Sequence, residues 1–179
     1  MSLEAKMTTR VVAILFSIWL LGMLHPPAAS AEVEVFFAPE GEMKNAILAE
    51  IDSSRETIDV AVHEIASLEL AQALAKAKQR GAKVRVITDG KQARLKSSRI
   101  TYLVTQGVLV KVLKGKEKGV MNHRFAIFDG KKVVTGSFNW SEESEKLNYE
   151  NMVVLNDKEA VVSFQDEFDR LWREKRIIK

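Results

Sequence analysis

Between Thr57 and Leu113 the chain switches repeatedly between a strand-like and a helical spacing of apolar residues, which restricts it to an α/β architecture. Thr57–His63 (TIDVAVH) is β-branched and apolar, the pattern of a buried strand. Ser67–Gln79 then sets Leu68, Leu70, Ala71, Leu74 and Ala75 on one helical face, with Ser67 and Glu69 opening the helix and Gly81 closing it. Lys83–Thr88 (KVRVIT) returns to strand character and ends at Asp89-Gly90. Ile100–Thr105 reads as a short helix stopped by Gly107, and Val108–Leu113 as the next strand.

The flanks continue the pattern. Val33–Pro39 reads as a strand, and Glu40–Ser53 carries Met43, Ala46, Ile47 and Ile51 at helical spacing. Asn122–Asp129 and Lys132–Thr135 read as two strands joined by the turn Asp129-Gly130. Glu150–Leu155 is a further strand, followed by a long amphipathic helix over Lys158–Lys175. The expected fold is α/β, a mixed β-sheet flanked by helices on both faces. No linker-like stretch interrupts residues 32–179, so they are expected to form a single domain.

Residues 1–31 read differently. Lys6 and Arg10 precede the apolar run Val11–Leu24, whose 14 residues fall short of the roughly 17–25 that a membrane span needs. Pro26 and Pro27 end the run, and Ala29-Ser30-Ala31 resembles a signal cleavage site. This predicts a secretory signal cleaved near Ala31 and an exported, periplasmic or secreted protein; the alternative is an uncleaved anchor.

Residue usage limits the available chemistry. There is no cysteine, which excludes disulfides, thiolate zinc sites and cysteine nucleophiles. Of three histidines, His25 lies in the leader, leaving His63 and His123 for any imidazole chemistry beyond it. The formal charge of +3 is mildly basic. Lys111, Lys114, Lys116 and Lys118 cluster around Glu117, either as a solvated loop or as part of a basic groove.

The densest chemistry lies in Val120–Leu155, VMNHRFAIFDGKKVVTGSFNWSEESEKLNYENMVVL. Asp129 is followed after six residues by Gly136-Ser137, then Asn139, with Glu150-Asn151 further on. This segment resembles the H-x-K-x4-D-x6-G-S-x-N motif of the phospholipase D superfamily. It is most similar to the small single-motif bacterial endonucleases and their mitochondrial relatives. The likeness extends to the IDVAV strand, the ELAQALAKAKQRGAKVRVITDG block and the last helix. Two positions depart from the motif: Asn122 stands at the histidine and Arg124 at the lysine. His123 lies between them and, on a strand, would face the other way.

The resemblance implies a metal-independent phosphodiesterase without a cofactor. In such enzymes one histidine attacks phosphorus, and a second, from a paired motif, protonates the leaving oxygen. Lysine and asparagine bind the phosphoryl oxygens. The implied catalytic positions are Asn122, Arg124, Asp129 and Glu150, and the implied phosphate-binding residues are Arg124, Ser137 and Asn139. Asp129 is expected near the site, with Glu150 facing Asn122 or pairing with Arg124. One motif per chain implies a homodimer.

An amide has no basic lone pair with which to attack or to shuttle a proton. Arginine keeps the charge of lysine and can clamp a phosphate with two parallel bonds. The expected function is therefore a nuclease-type phosphodiesterase whose turnover is impaired by Asn122. The alternatives are an inactive protein that binds nucleic acid or a phospholipid headgroup, or an engineered active-site variant. Phe138 and Trp140 are expected to pack rather than stack on bases, and neither His63 nor His123 is expected to replace the missing histidine.

Overall fold

A computed structural model describes residues 31–39 and 42–174. The leader read over residues 1–31 falls, apart from Ala31, outside the described residues.

The elements run β1 (Val33–Ala38), α1 (Met43–Ser53), β2 (Thr57–Val62), α2 (Leu68–Gln79), β3 (Lys83–Asp89), α3 (Ile100–Thr105), β4 (Leu109–Leu113), β5 (Arg124–Phe128), β6 (Lys132–Gly136), α4 (Glu142–Lys146), β7 (Glu150–Leu155) and α5 (Lys158–Arg173). Seven strands form one mixed sheet in the order β1-β7-β6-β5-β2-β3-β4. β2, β3 and β4 are parallel, joined by the helical crossovers α2 and α3. The pairs β2–β5, β5–β6, β6–β7 and β7–β1 are antiparallel.

The strands bury both faces. Ile58, Val60 and Val62 of β2 join the core formed with α1, α2 and α3. Ala61, Ile87, Phe125, Ile127 and Val133 point the other way, onto Val161, Phe168 and Leu171 of α5. This two-sided burial is why TIDVAV reads as a nearly continuous apolar run. It confirms the α/β class with helices on both faces.

Two details differ from the sequence reading. The strand expected over Asn122–Asp129 begins only at Arg124, so Asn122 and His123 lie in the connection before it. The short helix α4 was not foreseen; five residues are too few to show a period, but Ser141 caps it by accepting from the Ser144 N–H at 3.2 Å.

The turn after β5 explains Asp129. Asp129 and Gly130 have φ of 51° and 60°, and Lys131 N–H closes onto Phe128 O at 2.9 Å. Two positive central φ values match the twist of a two-residue hairpin, and Asp and Gly are residues that tolerate them.

Candidate active site

The motif residues divide between the two ends of β5. Arg124 begins the strand and Asp129 follows its last residue. Five residues at strand rise separate them by roughly 16 Å. Asp129 accordingly lies away from the site in which the sequence motif grouped it. Its carboxylate accepts the N–H groups of Arg55, Glu56 and Thr57, at 3.0, 2.8 and 2.9 Å, and so anchors the entry to β2. Burial pushes its pKa up, but the three backbone donors and the charge of Lys131 outweigh that and hold it below the ordinary 3.8.

Removing this carboxylate with Asp129→Ala is expected to lower stability at neutral pH by about 1–3 kcal/mol. Because the folded pKa is depressed, the contribution is present above the unfolded value and is lost as pH falls through the folded one. Urea midpoints of the two proteins should therefore differ at pH 7 and converge below about pH 3.8. A constant gap across that range would refute the anchoring role.

At the other end, four residues assemble a polar row. Arg124 Nε donates to Asn139 Oδ1 at 2.9 Å, and Arg124 Nη1 donates to the Asn122 carbonyl at 3.2 Å. The Ser137 hydroxyl donates to Glu150 Oε2 and accepts from the Asn151 N–H at 3.1 Å. Asn148 Nδ2 donates to the second Glu150 oxygen at 3.3 Å. Glu150 therefore binds Ser137 and Asn148 and not, as expected, Asn122 or Arg124.

Gly136 makes this arrangement possible. A Cβ there would lie 2.1 Å from the Asn151 carbonyl oxygen, so only glycine lets β6 approach β7 closely enough for Ser137 N–H to reach that oxygen at 2.9 Å. Beyond it, the buried Phe138 and Trp140 pack in the core, as expected of them. The Trp140 carbonyl accepts the N–H groups of Ala66 and Ser67, which fastens the segment carrying Asn139 to the β2–α2 connection.

Asn122 is exposed at the mouth of this row, and its side chain makes no hydrogen bond among the described residues. Its backbone is held on both sides. Met121 N–H donates to Asp89 Oδ2 at 3.1 Å, and His63 N–H donates to the His123 carbonyl at 2.8 Å. His63 Nδ1 meets the Met121 carbonyl at 2.9 Å; a carbonyl only accepts, so the proton sits on Nδ1. Sequence reasoning missed these positioning roles of Asp89 and His63. The strand-ending Asp89-Gly90 was the one available signal.

His123 takes the opposite side of β5. Its Nε2 meets Glu167 of α5 at 3.1 Å, and its ring meets Phe125 edge-on with centroids 5.3 Å apart. Beside it opens a cleft of about 370 Å³ between the β4–β5 loop and α5, lined by Lys114, Lys116, Asn122, His123, Arg170 and Glu174 among others. Among the described residues, no group of three or more His, Cys, Asp or Glu side chains is arranged to hold a metal ion.

Residues 47–172 match the family model described as "Cardiolipin synthase, PLD-like domain". The chain is 34% identical over 122 residues to a mitochondrial cardiolipin hydrolase of Chlamydomonas reinhardtii, covering 68% of this chain and 54% of that protein. It is 34% identical over 137 residues to the human protein of that name, covering 76% of this chain and 54% of that protein. The chain thus spans about half the length of these curated relatives. Among solved structures it is similar to the phospholipase D family member Nuc from Salmonella typhimurium, with TM-score 0.76 and 26% identity over 84% of this chain and 99% of that one. NucT from Helicobacter pylori is equally similar, with TM-score 0.76 and 28% identity over 83% and 100% of the two chains. The curated relatives are named as mitochondrial proteins, which overturns the exported, periplasmic or secreted location read from the leader.

Proposed function

This chain belongs to the phospholipase D-like family, and on that premise we propose that it is a phosphodiesterase that holds nucleic-acid phosphodiesters at Arg124, Ser137 and Asn139, with turnover held back by Asn122. The observation that carries this reading is the setting of Arg124. Its guanidinium is positioned by two neutral oxygens, Asn139 Oδ1 and the Asn122 carbonyl, and no carboxylate neutralises it among the described residues. A fixed cation without a counter-charge keeps its full attraction for a phosphoryl group. Because the Asn139 oxygen accepts from Arg124, its NH2 group remains to donate to the same ligand.

The row is one-sided. It supplies phosphate donors from a single copy of the motif, which suits a homodimer in which a second copy completes the pocket across a twofold axis. Neither histidine of the described chain joins the row, so no imidazole offers a nucleophile within it.

A second reading is a phospholipid-headgroup hydrolase. Phe37, Leu147 and Tyr149 are 65%, 76% and 94% exposed; Leu147 and Tyr149 precede Glu150 in the chain, and Phe37 pairs with Asn151 across the β1–β7 register. Such an apolar rim suits a lipid surface. Hydrolysis and binding of single-stranded DNA and of cardiolipin vesicles, both in EDTA, separate the two. DNA binding that weakens at least tenfold in Arg124→Gln, with slow cleavage, is expected. Cleavage of the vesicles alone would replace the first reading by the second, and indifference of both ligands to Arg124→Gln would sink the site assignment.

A further inference from the structure

The cleft on the α5 side of β5 is not used by the polar row, yet Asn122 belongs to the rims of both. Lys114 and Lys116 enter it from the β4–β5 loop, and Arg170 enters from α5. Three cations line the cleft against one carboxylate, Glu174. The loop has a defined shape: Gly115 N–H bonds to Gly119 O at 3.1 Å, Gly119 N–H bonds to Lys116 O at 2.9 Å, and Glu117 turns the chain with φ of 56°. Neither lysine has a salt bridge or hydrogen bond from its ammonium among the described residues. Arg170 is oriented by Glu167, which accepts from its Nε and Nη2 at 2.7 Å each and from the His123 side at 3.1 Å. That network fixes the α5 wall and commits Glu167 to Arg170 and His123.

From this arrangement we infer that the Lys114–Lys116–Arg170 cleft is a second phosphate subsite, which seats the neighbouring phosphate of a single-stranded nucleic acid whose scissile phosphate lies at Arg124. The inference rests on the nucleic-acid reading above and extends it across Asn122 to the other side of the strand. His123 faces the cleft and Arg124 faces the polar row, so a polyanion crossing the start of β5 meets cations on each side. A polynucleotide fits this better than a bilayer. Two of the three cations of the cleft come from an exposed polar loop and the third from α5, while the exposed apolar residues Phe37, Leu147 and Tyr149 belong to β1 and the α4–β7 connection.

The test uses the full chain and a short fluorescent single-stranded DNA, read by anisotropy across a salt series. The double variant K114Q/K116Q lies on an exposed loop and should fold normally. It is expected to weaken DNA binding roughly tenfold or more and to reduce the log–log salt slope by about 0.7, the counter-ion release of the one phosphate that the subsite seats. Binding of dimethyl phosphate, which has one phosphodiester, should be unchanged by NMR titration. The control K83Q/K158Q removes equal charge from exposed positions outside the cleft and should leave DNA binding within about twofold. An unchanged slope in the loop variant, or an equal loss in the control, overturns the inference. So does a loss confined to phosphatidylglycerol vesicles. Arg124→Gln reads the premise separately: dimethyl phosphate binding that ignores this variant removes the seat at Arg124 but leaves the lysine result standing.

Discussion

Asn122→His should raise phosphodiester hydrolysis by at least about 10²-fold, and by up to about 10⁴-fold if acid–base catalysis alone is restored. The site is built to receive the imidazole. Position 122 is exposed, precedes the strand and has no side-chain hydrogen bond to lose among the described residues, so the larger ring needs no repacking. Its backbone is pinned through Met121 to Asp89 and through His123 to His63, which limits where the new ring can go. On the proposed reading, two donors for the phosphoryl oxygens, the Arg124 guanidinium and the Asn139 NH2 group, are already in place. The measurement is release of nitrophenolate from bis(4-nitrophenyl) phosphate in EDTA, with an acid-quenched assay for a phosphohistidine adduct. His123→Ala in the restored enzyme serves as a control and should change the rate less than about twofold, because His123 is engaged with Glu167 on the other side of β5. An unaltered protein that is already as fast as the restored one would show that Asn122 is no impediment.

The fold was legible because its signals are periodic. Burial on both faces makes β2 an unbroken apolar run, and α2 shows its stripe between a serine cap and a glycine stop. The site was legible as a set of residues but not as a geometry. Spacing along the chain placed Asp129 with Arg124, whereas strand rise carries it to the far end of β5. Glu150 was expected to face Asn122 or pair with Arg124, but its partner depends on how closely β6 and β7 approach at Gly136, and that close approach is a tertiary property. The cleft was invisible for the same reason. Its lysines stood out in the sequence, but their counterpart Arg170 lies more than fifty residues away on α5, and only the sheet topology joins them.

Besides its apolar face, α5 is tied to the sheet by a buried carboxylate in the middle of β2, and Asp59→Ala should cost about 3–5 kcal/mol. Asp59 is 3% exposed within a strand otherwise made of apolar residues and threonine. It accepts from Arg85 Nε at 2.7 Å and Nη2 at 2.6 Å, and from Gln165 Nε2 on α5 at 2.9 Å. Arg85 also pairs with Asp169 of α5 at 3.0 Å and lies 4.8 Å from the centre of the Phe168 ring. Deleting Asp59 leaves the guanidinium half compensated under the helix, and an uncompensated buried charge costs more than the lost pair contributed. A fall in Tm of roughly 6–20 °C follows from that range for a domain of this size. The double replacement D59L/R85M, which removes both charges and keeps the volume, should recover most of the loss. If the double variant is as unstable as Asp59→Ala, the damage is lost packing rather than an orphaned charge. Because α5 also supplies Glu167 and Arg170 to the cleft, Asp59→Ala should weaken DNA binding beyond what its folded fraction explains, while D59L/R85M should not.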